Sequence, residues 1–250
     1  MDEFKGKLAL VTGAGRGVGR EIAVGFASLG VGVAANDINP INVGETVDII
    51  RQAGGEAREY VFDIAKRMPV EGMIGQVMEH FGRIDFLVCH ASVAPEASIL
   101  DMDEWDFHRT LDVNLGGPFF CTQLVGRVMR ELGGGRIVNI ITLYRSGIGH
   151  KGQAAYSASQ AGLVGLTRAA AAELHEYNIC LNAVCQARAE PESYCLDKIE
   201  AAVLQRWQLA HPDLQLGSTA ELTRLVLYLC SDAAAAIKGQ VLVVDQAGRG

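Results

Sequence analysis

A glycine-rich stretch close to the N-terminus limits the fold more than any other feature of the sequence. The apolar segment 7–11 leads into Thr12, and a segment with Ile22 and Phe26 on its apolar face follows the glycines. Glycine allows a tight turn and the close approach of a pyrophosphate to main-chain N–H groups at the start of a helix. The pattern predicts a strand, a turn and a helix that bind a dinucleotide. The predicted binding residues in the turn are Gly13, Gly15, Arg16, Gly17, Val18 and Gly19.

Short β-branched runs alternate with longer segments of helical period along the chain, which is typical of a parallel sheet covered on both faces. The predicted fold is α/β, a doubly wound parallel sheet of Rossmann type with about seven strands and helices on both faces. No repeat or linker interrupts the series, so we expect residues 1–250 to form a single domain. The predicted strands are 7–12, 32–36, 57–62, 84–89, 136–141, 179–184 and 240–244. The helices are expected to begin near Gly17, Val43, Pro69, Met102, Gln153 and Thr219.

Charge and hydropathy exclude several classes of partner. The chain has 22 basic and 29 acidic residues, a net charge of −7, and therefore lacks the basic excess that nucleic acids or anionic membranes attract. The first seven residues carry no apolar signal segment, and no apolar stretch approaches the roughly 20 residues that span a bilayer. We therefore expect a cytoplasmic protein. The six cysteines form no C-x-x-C pair, which predicts reduced core residues and no metal site.

Asp37 closes the second predicted strand and bears on the choice of cofactor. A carboxylate at this position accepts hydrogen bonds from both ribose hydroxyls and repels a 2′-phosphate, which favours NAD. Arg16 favours the other choice, because a guanidinium in the turn is able to pair with a 2′-phosphate. The sequence therefore favours NAD and leaves NADP open.

Motifs spread over the chain point to one enzyme family. Besides the glycine-rich turn, the matching segments are residues 113–114, 135–140, 156–159 and 217–232. Together they resemble the short-chain dehydrogenase/reductases, and the resemblance covers essentially the whole chain. It implies an NAD(P)-dependent oxidoreductase that reduces a ketone or oxidises a secondary alcohol. In this family a tyrosine hydroxyl gives a proton to the carbonyl while the cofactor delivers a hydride.

The resemblance also implies catalytic residues. Tyr156 matches the tyrosine, Thr142 matches the serine that polarises the carbonyl, and Asn114 matches an asparagine that holds a water of the proton relay. When the alignment is counted back from Tyr156, Leu143 takes the place of Thr142, so both alignments stay open. The alternative is that Asn114 is a buried helix asparagine that bonds to local partners, which the sequence does not distinguish from the catalytic role.

Gln160 stands where the family has a lysine that binds the nicotinamide ribose and lowers the tyrosine pKa. Glutamine can bind ribose hydroxyls but supplies no charge. An ammonium about 4 Å from a tyrosinate contributes about 4 kcal/mol at an effective dielectric of about 20, or about three pKa units. The resemblance therefore predicts atypical or weakened activity, unless Lys151 reaches the site from its loop.

The remaining cofactor contacts are also implied by the resemblance. Asp63, followed by Ile64, matches an aspartate near the adenine amino group; a plain helix N-cap is the alternative, and the two roles are compatible. The family's Asn-Asn-Ala-Gly reads Cys-His-Ala-Ser here, so only Ala91 is kept for packing on the adenosine ribose. His90 takes a position that is structural in the family, and a catalytic base is the alternative.

Substrate and assembly are the least defined predictions. Residues 186–217 follow a strand end and are predicted to form a substrate loop, with a surface insertion as the alternative. The expected partner is a small-molecule carbonyl or alcohol. The resemblance implies a homo-oligomer, a tetramer or a dimer. Two other functions stay open: a catalytically inactive nucleotide-binding scaffold or regulatory subunit, and a non-redox enzyme derived from the same family.

Overall fold

The computed structural model describes residues 3–142, 151–186 and 219–244. The predicted substrate loop, apart from its first residue, lies outside the described residues, and so do Leu143 and Cys195. The prediction of a single domain stays a prediction.

Seven parallel strands form one sheet, as predicted. Each strand lies within two residues of its predicted bounds: β1 Leu8–Thr12, β2 Gly32–Asp37, β3 Ala57–Val61, β4 Phe86–Cys89, β5 Gly135–Thr142, β6 Ile179–Gln186 and β7 Val241–Val244. Their order in the sheet is β3-β2-β1-β4-β5-β6-β7. The order reverses between β1 and β4, and ligands of doubly wound sheets bind at the carboxyl ends of the strands beside such a reversal.

Helices cover both faces of the sheet. They are α1 Gly17–Ser28, α2 Pro40–Gln52, α3 Arg67–Phe81, α4 Glu104–Leu111, α5 Gly117–Glu131, α6 Ala154–Leu174 and α7 Thr219–Cys230. The predicted start of α2 at Val43 is three residues late. Asn39 caps this helix by accepting hydrogen bonds from the N–H groups of Ile41 and Asn42, and Pro40 suits its first turn. The predicted start of α3 at Pro69 is two residues late.

The helical segment predicted near Met102 consists of three elements. Asp103 caps α4 by accepting a hydrogen bond from the N–H of Trp105. A π-helical turn, Asp112–Gly116, then separates α4 from α5. Its helical period merges with that of its neighbours, so the sequence pattern does not reveal it. Single π turns of this kind are frequent at functional sites.

The side chains of β1 alternate between two apolar layers. Ala9 and Val11 pack with residues of α1, α2 and α7, whereas Leu8 and Leu10 pack with residues of α3 and α5. The five cysteines in the described residues are buried, as expected of core residues. None of the helices in the described ranges is long and apolar enough to cross a bilayer.

Candidate active site

A cavity of about 660 Å³ opens at the carboxyl ends of the strands. It is large enough for a cofactor, since pockets for small molecules measure about 300 to 1,000 Å³. It brings together most of the residues that the sequence analysis singled out. Those lining it are Gly13, Arg16, Asp37, Asp63, Ile64, Ala91, Thr142, Tyr156 and Gln160, whereas Gly15, Gly17, Val18, Gly19 and Asn114 are not among the lining residues.

The glycine-rich turn leaves no room for side chains. Gly13 and Gly17 have positive φ angles of 67° and 51°, which side chains disfavour. A Cβ at Gly13 would lie 2.7 Å from the Cα of Ala91, and a Cβ at Gly19 would overlap the carbonyl oxygen of Gly13. The bare backbone at the start of α1 forms a cradle that fits a pyrophosphate.

Polar side chains of α1 and α2 hold this turn from behind. Thr46, which is fully buried on α2, donates a hydrogen bond of 2.9 Å to the carbonyl oxygen of Ala14. Arg20 on α1 donates to the carbonyl oxygen of Gly15 and forms an ion pair of 2.9 Å with Glu45. The sequence analysis missed Thr46 and Arg20. The position of Thr46 between the apolar residues Val43 and Val47 of α2 was the one sequence feature that indicated a buried hydrogen bond to the turn.

Asp37 lies beside the turn with its carboxylate held in place. Oδ2 accepts a hydrogen bond of 3.0 Å from the N–H of Gly15, and Oδ1 accepts one of 2.9 Å from the N–H of Asn39. A Cβ at Gly15 would lie 2.7 Å from Oδ2, so glycine is required there as well. Each carboxylate oxygen has a second lone pair, which can accept a hydrogen bond from a ribose hydroxyl. Arg16 lines the same cavity.

Asp63, which follows β3, joins two segments at the wall of the cavity. Its Oδ1 accepts a hydrogen bond of 3.0 Å from the N–H of Ala65, and its Oδ2 forms an ion pair of 2.8 Å with Arg109 of α4. Burial acts to raise the pKa of Asp63, but the hydrogen bonds from Arg109 and Ala65 outweigh it and hold the pKa below its usual value. Helix α3 begins at Arg67 with Lys66, not Asp63, at the N-cap position, so the helix-cap alternative for Asp63 is wrong. Arg109 was not foreseen.

His90 and Ala91 lie below the turn at the end of β4. The N–H groups of both residues donate to Oγ1 of Thr12, over 3.1 and 3.3 Å. The His90 ring lies against the turn, with Nδ1 3.2 Å from the carbonyl oxygen of Gly13. Burial lowers the pKa of His90, which favours the neutral imidazole.

Tyr156 and Thr142 reach the cavity from neighbouring elements. Tyr156 lies in the first turn of α6 and is 5 % exposed, and Thr142 is the last residue of β5. Both line the cavity. Lys151 is exposed before α6 and is not among the lining residues. The fold therefore brings two residues with hydroxyl groups to the same cavity.

Gln160 lies one helical turn after Tyr156 and is 3 % exposed. Its Oε1 accepts a hydrogen bond of 2.8 Å from the N–H of Thr142. The side chain thus connects α6 to the end of β5, a contact that the sequence analysis missed. Gln160 lines the cavity, and its neutral amide brings no positive charge to Tyr156.

Asn114 lies in the π turn with its side chain engaged by distant segments. Its Oδ1 accepts a hydrogen bond of 2.8 Å from the N–H of Val93, and its Nδ2 donates to the Val93 carbonyl and to Oγ of Ser159. These partners are far away in sequence, so the alternative of an asparagine with local partners is wrong. The side chain does not line the cavity. It holds the loop after β4 against the helix that carries Tyr156.

Comparisons with known proteins agree with this geometry. A family model described as enoyl-(acyl carrier protein) reductase matches residues 13–247. A 3-oxoacyl-[acyl-carrier-protein] reductase of Thermotoga maritima is 34% identical over 245 residues, which are 97% of each chain. A subunit of (2S)-[(R)-hydroxy(phenyl)methyl]succinyl-CoA dehydrogenase of Thauera aromatica is 36% identical over 241 residues, 96% of each chain.

A solved structure extends the likeness to the fold. The structure of a 7α-hydroxysteroid dehydrogenase complexed with NADH and 7-oxo glycochenodeoxycholic acid matches with a TM-score of 0.88 and 31% sequence identity. The match covers 99% of this chain and 96% of the dehydrogenase. The chain therefore belongs to the short-chain dehydrogenase/reductase family of oxidoreductases.

Proposed function

We propose that this protein is an NAD-dependent oxidoreductase that reduces a ketone or oxidises a secondary alcohol, with Tyr156 as its acid/base residue. The observation that carries the proposal is the shared cavity: Tyr156 and Thr142 line the same space as Asp37 and the glycine-rich turn. The likeness to a dehydrogenase complexed with NADH also supports it.

Different residues of the cavity would bind different parts of the cofactor. The N–H groups of the turn would bind the pyrophosphate, Asp37 the adenosine ribose, and Asp63, Ile64 and Ala91 the adenine end. When bound, NADH supplies the hydride. The side chains that bind the cofactor would orient it along the strand ends and exclude water from the cavity.

The side chains at the other end of the cavity supply the proton chemistry. Tyr156 would donate the proton of its hydroxyl to the carbonyl oxygen in reduction and accept it in oxidation. The Thr142 hydroxyl would donate a hydrogen bond to the same oxygen. Gln160 would bind the nicotinamide ribose through its amide nitrogen while its oxygen holds Thr142. Because no ammonium stabilises the developing tyrosinate, we propose that reduction is slower than a lysine at position 160 would allow.

We propose a 3-oxoacyl thioester as the first substrate class to assay. Two relatives are named for reactions on acyl thioesters, one carried by a protein and one by coenzyme A. The steroid ligand of the dehydrogenase structure makes a cyclic ketone the second class. Both classes contain a ketone that Tyr156 could protonate during hydride transfer.

Replacing Asp37 with serine is expected to remove the preference for NADH. We expect the wild type to bind NADH at least about tenfold more tightly than NADPH, a difference of about 1.4 kcal/mol. Serine is shorter and neutral, so it removes both the acceptor for the N–H of Gly15 and the charge that repels a 2′-phosphate. Calorimetric titration with both cofactors would therefore give a ratio near one for Asp37→Ser.

The matched control for this change is Asp48→Ser, which removes an exposed carboxylate from α2 outside the cavity. It should keep the wild-type ratio of affinities. A wild type that prefers NADPH, or an Asp37→Ser variant that keeps the preference for NADH, would contradict the assignment. The first of these results would instead give the decisive role to Arg16.

A further inference from the structure

The Nδ1 edge of the His90 ring packs against the glycine-rich turn, where Gly13 and Gly19 lie next to each other. Its Nδ1 lies 3.2 Å from the carbonyl oxygen of Gly13. A Cβ at Gly19 would lie only 2.7 Å from the same nitrogen and would overlap the same carbonyl oxygen, so this edge of the ring packs directly against both glycines. The main-chain N–H of His90 is fixed by Thr12. A titratable side chain is therefore built into the floor of the predicted pyrophosphate cradle.

The hydrogen bond to Gly13 decides which nitrogen of His90 titrates. A carbonyl oxygen only accepts hydrogen bonds, so Nδ1 carries a proton in the neutral ring as well as in the charged ring. The second proton must then bind to Nε2. Protonation adds a positive charge under the turn without breaking the bond to Gly13. The shape of the turn is therefore compatible with both charge states.

Two charged side chains of the described residues act on His90, one from each neighbouring segment. Burial is the largest influence and lowers the pKa of His90, and Arg16 at the start of α1 acts in the same direction. The carbonyl of Gly13 and the carboxylate of Asp37 at the end of β2 act to raise it. The pKa lies below the ordinary value of 6.5, so the ring is neutral at neutral pH before a ligand binds.

We propose that His90 couples the binding of a dinucleotide to the uptake of a proton. This inference rests on the proposed function, because it requires a pyrophosphate on the turn. A pyrophosphate brings two negative charges to the space above the ring, and nearby negative charge favours the protonated form of histidine. The complex therefore binds a proton that the free protein does not hold. By linkage, affinity rises as the pH falls toward the ordinary pKa of histidine and below it.

The size of the effect follows from the shift that the ligand causes. A rise of one unit in the pKa of His90 on binding strengthens binding by a factor of at most ten at low pH. We expect the affinity for ADP-ribose to rise about three- to tenfold between pH 8 and pH 5.5. ADP-ribose is the suitable probe because it contains the pyrophosphate and survives mild acid. Adenosine lacks the pyrophosphate, so its binding should take up no proton.

The experiment is isothermal titration calorimetry of the full chain with ADP-ribose in pairs of buffers that differ in heat of ionisation. The wild type should take up a proton near pH 6, whereas His90→Asn and His90→Gln should bind without uptake and with a flat pH profile. Both amides can still donate to the Gly13 carbonyl, and thermal unfolding will show that the variants are folded. His108→Asn removes an exposed histidine of α4 and should behave as the wild type.

The outcomes separate this inference from the proposed function. ADP-ribose binding without proton uptake, or with the same uptake in the wild type and in His90→Asn, would overturn the role of His90 and leave the cofactor site intact. Uptake with adenosine would also overturn it, because the pyrophosphate would then not be its cause. A wild type that binds no ADP-ribose at any pH would overturn both.

Discussion

Gly19→Ala is expected to weaken NADH binding by at least about a hundredfold, or about 2.7 kcal/mol. The added Cβ would overlap the carbonyl oxygen of Gly13 and would also press on the His90 ring. The Gly13 carbonyl belongs to a turn that follows β1 directly. Arg20 of α1 and Thr46 of α2 hold this turn by hydrogen bonds to its carbonyl oxygens. The turn must therefore open, which moves the N–H groups that would bind the pyrophosphate. Calorimetric titration with NADH measures the loss.

The matched control is Gly75→Ala on α3, where a Cβ would meet nothing within 4 Å. Alanine is preferred to glycine within a helix by about 1 kcal/mol, so this variant should be at least as stable as the wild type and bind NADH unchanged. Gly19→Ala itself should lose about 1 to 3 kcal/mol of unfolding free energy through overpacking. An affinity for NADH within threefold of the wild type would show that the turn does not bind the cofactor.

Gln160→Lys is expected to accelerate ketone reduction by about ten- to a hundredfold while it lowers stability. An ammonium about 4 Å from Tyr156 would stabilise the developing tyrosinate by up to about 4 kcal/mol at an effective dielectric of about 20. The same change removes Oε1, the acceptor for the N–H of Thr142. Leaving that half-buried group unpaired lowers stability by about 1 kcal/mol. Thr142 also loses a contact that fixes its position, so the gain in rate should fall short of the full electrostatic effect. Single-turnover rates and urea unfolding measure the two consequences.

Gln160→Met separates the charge from the lost hydrogen bond. Methionine removes the same acceptor without adding a charge, so it should lose the same stability and show no faster reduction. The pH profile of Gln160→Lys should also move to lower pH, because the ammonium lowers the pKa of Tyr156. A folded Gln160→Lys variant that reduces ketones no faster than the wild type would show that the missing charge does not limit the reaction.

The strands and the glycine-rich turn were predictable because their signals are local. Each strand is a short apolar run with turn residues at its ends, and Gly13 and Gly17 mark backbone with positive φ. The boundary between α4 and α5 was not predictable in this way. The π turn continues the helical hydrophobic pattern, so only the backbone hydrogen bonds reveal it.

The contacts that shape the cavity could not be predicted because they join distant segments. The pair of Asp63 with Arg109 connects the loop after β3 to α4, and Asn114 connects the loop after β4 to α6. In the sequence, Arg109 and Asn114 are each a single polar residue in a helical segment. Such a residue could equally well be exposed to solvent, so the sequence does not reveal its distant partner. Gln160 shows the same limit, since its departure from the family motif was visible but its bond to Thr142 was not.

The most direct test is transfer of deuterium from NADH that carries deuterium at both C4 positions of the nicotinamide. Wild-type protein would be incubated with labelled NADH and a panel of 3-oxoacyl thioesters and cyclic ketones, and the alcohols analysed by mass spectrometry. We expect at least one alcohol to carry a single deuterium, and Tyr156→Phe to form it about a hundredfold more slowly. NADH that binds but gives no deuterated alcohol, or equal rates for the wild type and Tyr156→Phe, would contradict hydride transfer assisted by Tyr156.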